Sequence, residues 1–159
     1  MNSMEISFSA MLENEAFARS AVGAFIAPMN PTISELTEIK TIVAEAVSNA
    51  IIHGYNCNKE CFVVIRVIVE NRTITLIVQD YGNGIEDVEK VKAPFYTSLK
   101  ELEHAGMGFT IIETFSDSLE IESIVNIGTK LIIRKRLKDQ RHRGLGTMHE
   151  DGSMGVNTK

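Results

Sequence analysis

The chain has 159 residues, 44% of them apolar, the size and composition of one ordinary domain that can build a core without metals or disulfides. Its net charge of -5 lacks the basic balance that displaces phosphate counterions, which argues against direct nucleic-acid binding. No apolar run approaches the roughly 20 residues that span a bilayer, and Met1-Asn2-Ser3-Met4-Glu5 lacks a basic, apolar leader pattern, so a cytoplasmic location with no membrane partner is expected.

In chain order, Glu5 to Ala10 alternates Ile6 and Phe8 with polar residues and predicts a short, half-exposed strand. From Asn14 to about Ala27 the apolar residues Phe17, Ala21 or Val22, and Phe25 recur at helical spacing until Pro28 and Pro31 break it. A second helix begins near Thr32 or Ser34, either of which can cap it. It carries the stripe Leu36, Ile39, Val43, Ala46, Val47 and Ala50, and ends around Gly54.

Phe62 to Glu70 and Thr73 to Asp80 are rich in Val, Ile and Thr, and Asn71-Arg72 between them predicts an antiparallel hairpin. In the second strand Ile74, Leu76, Val78 and Asp80 share one face, so the aspartate points the way the core points. Residues 81 to 107 read as a long loop, a length that is usually functional or disordered. A short helix follows from Met107 to about Phe115, then strands Leu119 to Ser123 and Thr129 to Lys135, joined by a turn at Asn126-Ile127-Gly128. The order predicts an α+β sandwich of two layers, with helices on one face of a mixed, mostly antiparallel sheet. Residues 1–137 form the expected domain, and the glycine-bearing stretch 138–159 reads as a disordered tail.

Four groups of residues could do chemistry. Thr41, Glu45, Asn49 and His53 are four apart on the second helix and form a polar stripe amid Ala44, Ala46, Val47, Ala50, Ile51 and Ile52. A carboxylate and an amide oxygen one turn apart suit Mg2+ and a water or hydroxyl beside it, although a solvated helix face gives the same pattern. Asp80-Tyr81-Gly82-Asn83-Gly84-Ile85 ends a strand with glycines that admit a ligand closely or make a tight turn, and an inward Asp80 needs a donor. Gly106-Met107-Gly108 opens a helix where backbone N–H groups can meet phosphate. Gly128-Thr129 enters the last strand with a hydroxyl that can donate or accept. Cys57 and Cys61, with no second pair and no closely following histidine, are too few for a zinc site and read as reduced thiols. His53 and His142 complete no ligand set by spacing.

Taken singly each signal has a plainer explanation, but their order is that of the N, G1 and G2 boxes, and the chain resembles the GHKL ATPases and kinases. Within that superfamily it is similar to the anti-sigma F factors of endospore-forming bacteria. The segments that carry the likeness are residues 13–27 (ENEAFARSAVGAFIA), 35–55 (ELTEIKTIVAEAVSNAIIHGY), 78–85 (VQDYGNGI) and 94–117 (PFYTSLKELEHAGMGFTIIETFSD), within a match from 4 to about 137. The resemblance implies the Bergerat ATP-binding fold, ATP or ADP with Mg2+ as cofactors, and a protein-serine kinase. Such a kinase inhibits a sporulation sigma factor, phosphorylates an anti-anti-sigma protein and forms a homodimer. It implies Glu45 as general base, Asn49 as the Mg2+ ligand, and Asp80, Gly82, Gly84 and Thr129 around adenine. It further implies Gly106, Met107 and Gly108 at the phosphates, residues 86 to 105 as a lid, and Glu15 and Arg19 against the sigma factor. His104 departs from the arginine of relatives, which bears on transfer rate more than on nucleotide binding. Two other readings stay open: an anti-sigma B-type stress-response kinase, and a nucleotide-gated binding module with little turnover. The ATPase half of a histidine kinase is disfavoured, since no phosphoacceptor-histidine helix stands ahead of the motifs.

Overall fold

In a computed structural model, residues 1–92 and 107–138 are described. Among these residues five strands and four α-helices follow the order β1 (Asn2–Ser9), α1 (Asn14–Ile26), α2 (Ile33–Asn49), β2 (Phe62–Glu70), β3 (Thr73–Asp80), α3 (Val88–Lys92), α4 (Gly108–Phe115), β4 (Ser118–Ile124) and β5 (Gly128–Arg136). The sheet order is β1-β2-β3-β5-β4, and all four pairings are antiparallel, a more regular sheet than the mixed one expected. Helices pack on one face of it, giving the α+β two-layer architecture. Among the described residues no helix is long and apolar enough to cross a membrane.

Period-two alternation builds the core. Val63, Ile65 and Val67 of β2, Ile74, Leu76 and Val78 of β3, and Leu131 and Ile133 of β5 point inward onto α1 and α2. The face that α1 buries is shifted by one residue from expectation: Ala18, Val22 and Ile26 are buried, whereas Phe17 is half exposed and Phe25 packs at the margin. Small residues there let α1 lie close on α2, and the larger phenylalanines flank the contact, Phe17 standing edge-on to Phe8. β1 starts three residues earlier than its sequence pattern, because Asn2 to Met4 pair with Val69 to Val67. α3 lies inside the stretch read as loop.

α2 is capped by Thr32, whose hydroxyl accepts from Glu35 N at 3.0 Å while the Glu35 carboxylate accepts from Thr32 N at 2.7 Å, a complete capping box. The second Glu35 oxygen accepts from Lys138 N at 2.8 Å, and Arg72 donates to Lys138 O at 2.8 Å and to Met29 O at 3.1 Å. Asn71 and Arg72 both have positive φ, 46° and 62°, as the two-residue turn between β2 and β3 requires. The strain at Arg72 is offset by its guanidinium bonds, which tie the end of the last strand to Met29, while Glu35 ties it to the start of α2.

Candidate active site

The apolar stripe of α2 holds the helix against the sheet, and its polar stripe therefore faces the gap between α2, β3, β5, α3 and α4. α2 does not end as an α-helix at Gly54 as expected: after Asn49 the chain widens into a π turn, Ala50–Gly54, closed by Tyr55 N donating to Ala50 O at 3.0 Å. Such turns concentrate at functional sites because the extra residue re-aims the side chains on either side. Glu45, Asn49 and His53 all line one cavity of about 490 Å³. Thr41 does not; its hydroxyl donates back to Thr37 O at 2.9 Å. Ala46, Ala50, Ile52, Val78, Phe109 and Leu131 supply apolar wall.

At one end of the cavity α4 begins. A Cβ on Gly108 would stand 3.1 Å and 3.2 Å from the two polar atoms of the Asn49 amide and 3.2 Å from Glu45 Oε2, so only glycine leaves that space open. The first N–H groups of a helix have no partner within it and meet anions well. Asn49 Nδ2 is buried without a hydrogen-bond partner among the described residues, a cost that a bound polar group would remove. No group of three His, Cys, Asp or Glu that could hold a metal occurs among the described residues, so a cation here would take Asn49 and ligand oxygens, as Mg2+ commonly does.

Further along the same cavity stands Asp80, which is 5% exposed. Gly82 N donates to its Oδ1 at 3.0 Å and Thr129 N donates to the same oxygen at 3.3 Å, leaving Oδ2 as acceptor for a ligand. Burial pushes the Asp80 carboxyl above its ordinary range despite both backbone donors. Burial also lowers His53, so its imidazole is neutral at pH 7. Because the folded Asp80 holds its proton more tightly than the unfolded one, ionisation costs stability above the unfolded value, and that cost disappears in acid. Asp80→Asn keeps the Oδ1 acceptor and removes the charge. It is expected to raise the melting temperature of the ligand-free chain at pH 7, with the gain vanishing below about pH 4; paired melting curves across pH check it.

Two residues that the sequence reading did not single out hold this region. Tyr55 donates to Phe62 O and accepts from Tyr81 N, both at 2.7 Å, fixing the peptide that follows Asp80. The Ser123 hydroxyl accepts from Ile85 N at 2.9 Å and lies 2.8 Å from Thr129 Oγ1, tying β4 and β5 to the loop after β3. Only the HGY run after the helix hinted at Tyr55, and Ser123 had no local signal. Gly84, at φ 69°, lines the cavity; Gly82 does not line it but packs against Gly54.

The remaining expected residues fall as follows. Thr129 and Gly108 line the cavity, and Met107 precedes α4, its carbonyl accepting from Ile111 N at 2.8 Å. Gly106, His104, the lid from residue 93 onward and the stretch from 139 lie outside the described residues. Glu15 and Arg19 are elsewhere, on α1, joined by an ion pair at 2.6 Å with the Arg19 side chain partly exposed. Cys57 and Cys61 are free thiols.

Comparison with known proteins gives a consistent picture. The family model "Histidine kinase-like ATPase domain" matches residues 8–135. The chain is 53% identical over 136 residues to an anti-sigma F factor of Clostridium perfringens (strain SM101 / Type A), covering 86% of this chain and 97% of the relative. It is 52% identical to an anti-sigma F factor of Anoxybacillus flavithermus, covering 86% and 93%. A crystal structure of the RsbU and RsbW domains of a Mycobacterium tuberculosis protein superposes with TM-score 0.61 at 16% identity, over 86% of this chain and 32% of that one, a likeness of fold alone.

Proposed function

Since the chain belongs to the histidine kinase-like ATPase family and, within it, to the anti-sigma F factors, we propose that it binds and inhibits a sporulation sigma factor and uses Mg-ATP to phosphorylate an anti-anti-sigma protein on serine. The observation that carries this reading is the shared cavity: Glu45, Asn49 and the first residue of α4 meet at one end, with buried Asp80 and Thr129 along the same wall. We further propose that it acts in the cytoplasm as a homodimer, for which β1, an edge strand among the described residues, offers one side.

In this reading Asp80 Oδ2 accepts from the adenine amino group, Thr129 and Gly84 line the base pocket around it, and Gly82 shapes it only through its N–H bond to Asp80 Oδ1. The backbone at Gly106, Met107 and Gly108 receives the phosphates. The Asn49 amide would hold Mg2+, which would neutralise phosphate charge when bound. Glu45 accepts the proton of the substrate serine hydroxyl as its oxygen bonds to the γ-phosphorus and the bridging oxygen leaves with ADP. Phosphoryl transfer asks the protein mainly for alignment and charge, and no cysteine lines the cavity among the described residues.

The deciding experiment is a single-turnover reaction of the purified chain with γ-labelled ATP, Mg2+ and a serine-bearing anti-anti-sigma protein. Label on that serine is the expected result. Nucleotide and sigma binding without any label would make the chain a nucleotide-gated binding module instead. Glu15 and Arg19 are proposed as the sigma contact, on a helix face apart from the cavity. Arg19→Glu should weaken sigma binding about tenfold or more by reversing charge at the interface while ATP affinity stays unchanged. Parallel titrations check this, and equal loss of both would remove the separate surface.

A further inference from the structure

We propose that Lys90 binds the phosphate chain of the nucleotide, an assignment that rests on the nucleotide-binding reading above and names a residue it does not include. The cavity is lined by the carboxylates of Glu45, Asp80, Glu86 and Asp87. A nucleoside di- or triphosphate brings several more negative charges into that space, and like charges at close quarters in a partly dry cleft are strongly unfavourable. His53 gives no compensating charge, since burial keeps its imidazole neutral. Among the described lining residues, Lys90 is the only one with a permanent positive charge.

Its position is set by the backbone. Asp87 caps the turn that carries it, its carboxylate accepting from Lys90 N at 3.0 Å and its carbonyl from Val91 N at 3.2 Å. α3 packs against α4, the helix whose first residue sits between Asn49 and Glu45. Lys90 therefore lines the cavity from the element that adjoins α4. The Lys90 residue is exposed, so its replacement removes no core packing. An ammonium on a flexible four-carbon stem can follow a polyphosphate without a fixed geometry.

The test is calorimetric titration of the full chain and of Lys90→Ala with ATP, ADP and adenosine in the presence of Mg2+, alongside melting curves without nucleotide. Removing a charge-assisted contact should raise the Kd for ATP and ADP about tenfold and that for adenosine by less than about twofold. Lys90→Arg should stay within about threefold of the parent for all three, since it keeps the charge. The melting temperature without nucleotide should not move. Unchanged ATP affinity in Lys90→Ala, equal weakening of adenosine and ATP, or a fall in the nucleotide-free melting temperature that accounts for the loss would each overturn the assignment. If the parent chain binds all three ligands normally, such a result sinks Lys90 alone; if the parent binds none of them, the nucleotide reading falls with it.

Discussion

Replacing Glu45 by glutamine is expected to slow γ-phosphate transfer by about 10²- to 10⁴-fold, the usual contribution of a positioned general base. The amide keeps the shape of the side chain and its place beside Gly108 and Asn49, but it cannot take a proton from the attacking hydroxyl. Nucleotide affinity should change little, because in the proposed site Glu45 faces the incoming serine and not the base or the metal. Single-turnover rates at saturating ATP, measured beside equilibrium titrations, separate the two effects. A variant that transfers phosphate at the parent rate would take the role away from Glu45. One that loses ATP binding in step with rate would make it a structural part of the nucleotide pocket.

A methyl group on Gly82 should be among the most destabilising single additions to this chain. A Cβ there would stand 1.9 Å from Gly54 O and 2.4 Å from Gly54 C, both backbone atoms that no rotamer change can move aside. The neighbouring bond from Asn83 N to Gly54 O, 2.8 Å long, joins the same two segments, as does Asn83 Nδ2 to His53 O at 3.1 Å. Gly82→Ala must therefore push the loop after β3 away from the end of the π turn, breaking these bonds and drawing Gly82 N from Asp80. A loss of about 3 kcal/mol or more is expected, on the scale of overpacking combined with unsatisfied buried groups. Urea denaturation measures it directly. Stability equal to the parent would mean that the two segments separate freely and that the close approach is incidental.

Much of this arrangement is legible in the sequence for identifiable reasons. Strands β2 and β3 carry their alternation openly, Asn71-Arg72 marks the turn, and Thr32, one of two candidate caps, marks the start of α2. The polar positions Glu45, Asn49 and His53 stand out because their neighbours are apolar, and period two alone sends Asp80 inward. What escaped depends on contacts between distant segments. The phase of α1 is set by how closely it can approach α2, which favours Ala18 and Gly23 over the more hydrophobic Phe17, so weighting by side-chain size points to the wrong face. The π turn has no periodic signature, since it adds one residue to an otherwise regular helix. Tyr55 and Ser123 act through bonds to Tyr81 and Ile85, 26 and 38 positions away, and nothing local distinguishes them from a core tyrosine or a strand serine. α3 is only five residues long, too short for an apolar rhythm to show.

The clamp that Glu35 and Arg72 place on Lys138 fixes where the polypeptide leaves the sheet. β5 begins beside Asp80, with which Thr129 is paired, and runs the length of the sheet to Arg136, paired with Thr73. Its exit thus lies about 24 Å of strand from Asp80. A fluorophore, affinity handle or surface anchor attached beyond Lys138 would begin its path on the far side of the molecule, held there by main-chain atoms that any substituted side chain would preserve. Immobilised or labelled forms joined at that point should report partner exchange without crowding the nucleotide.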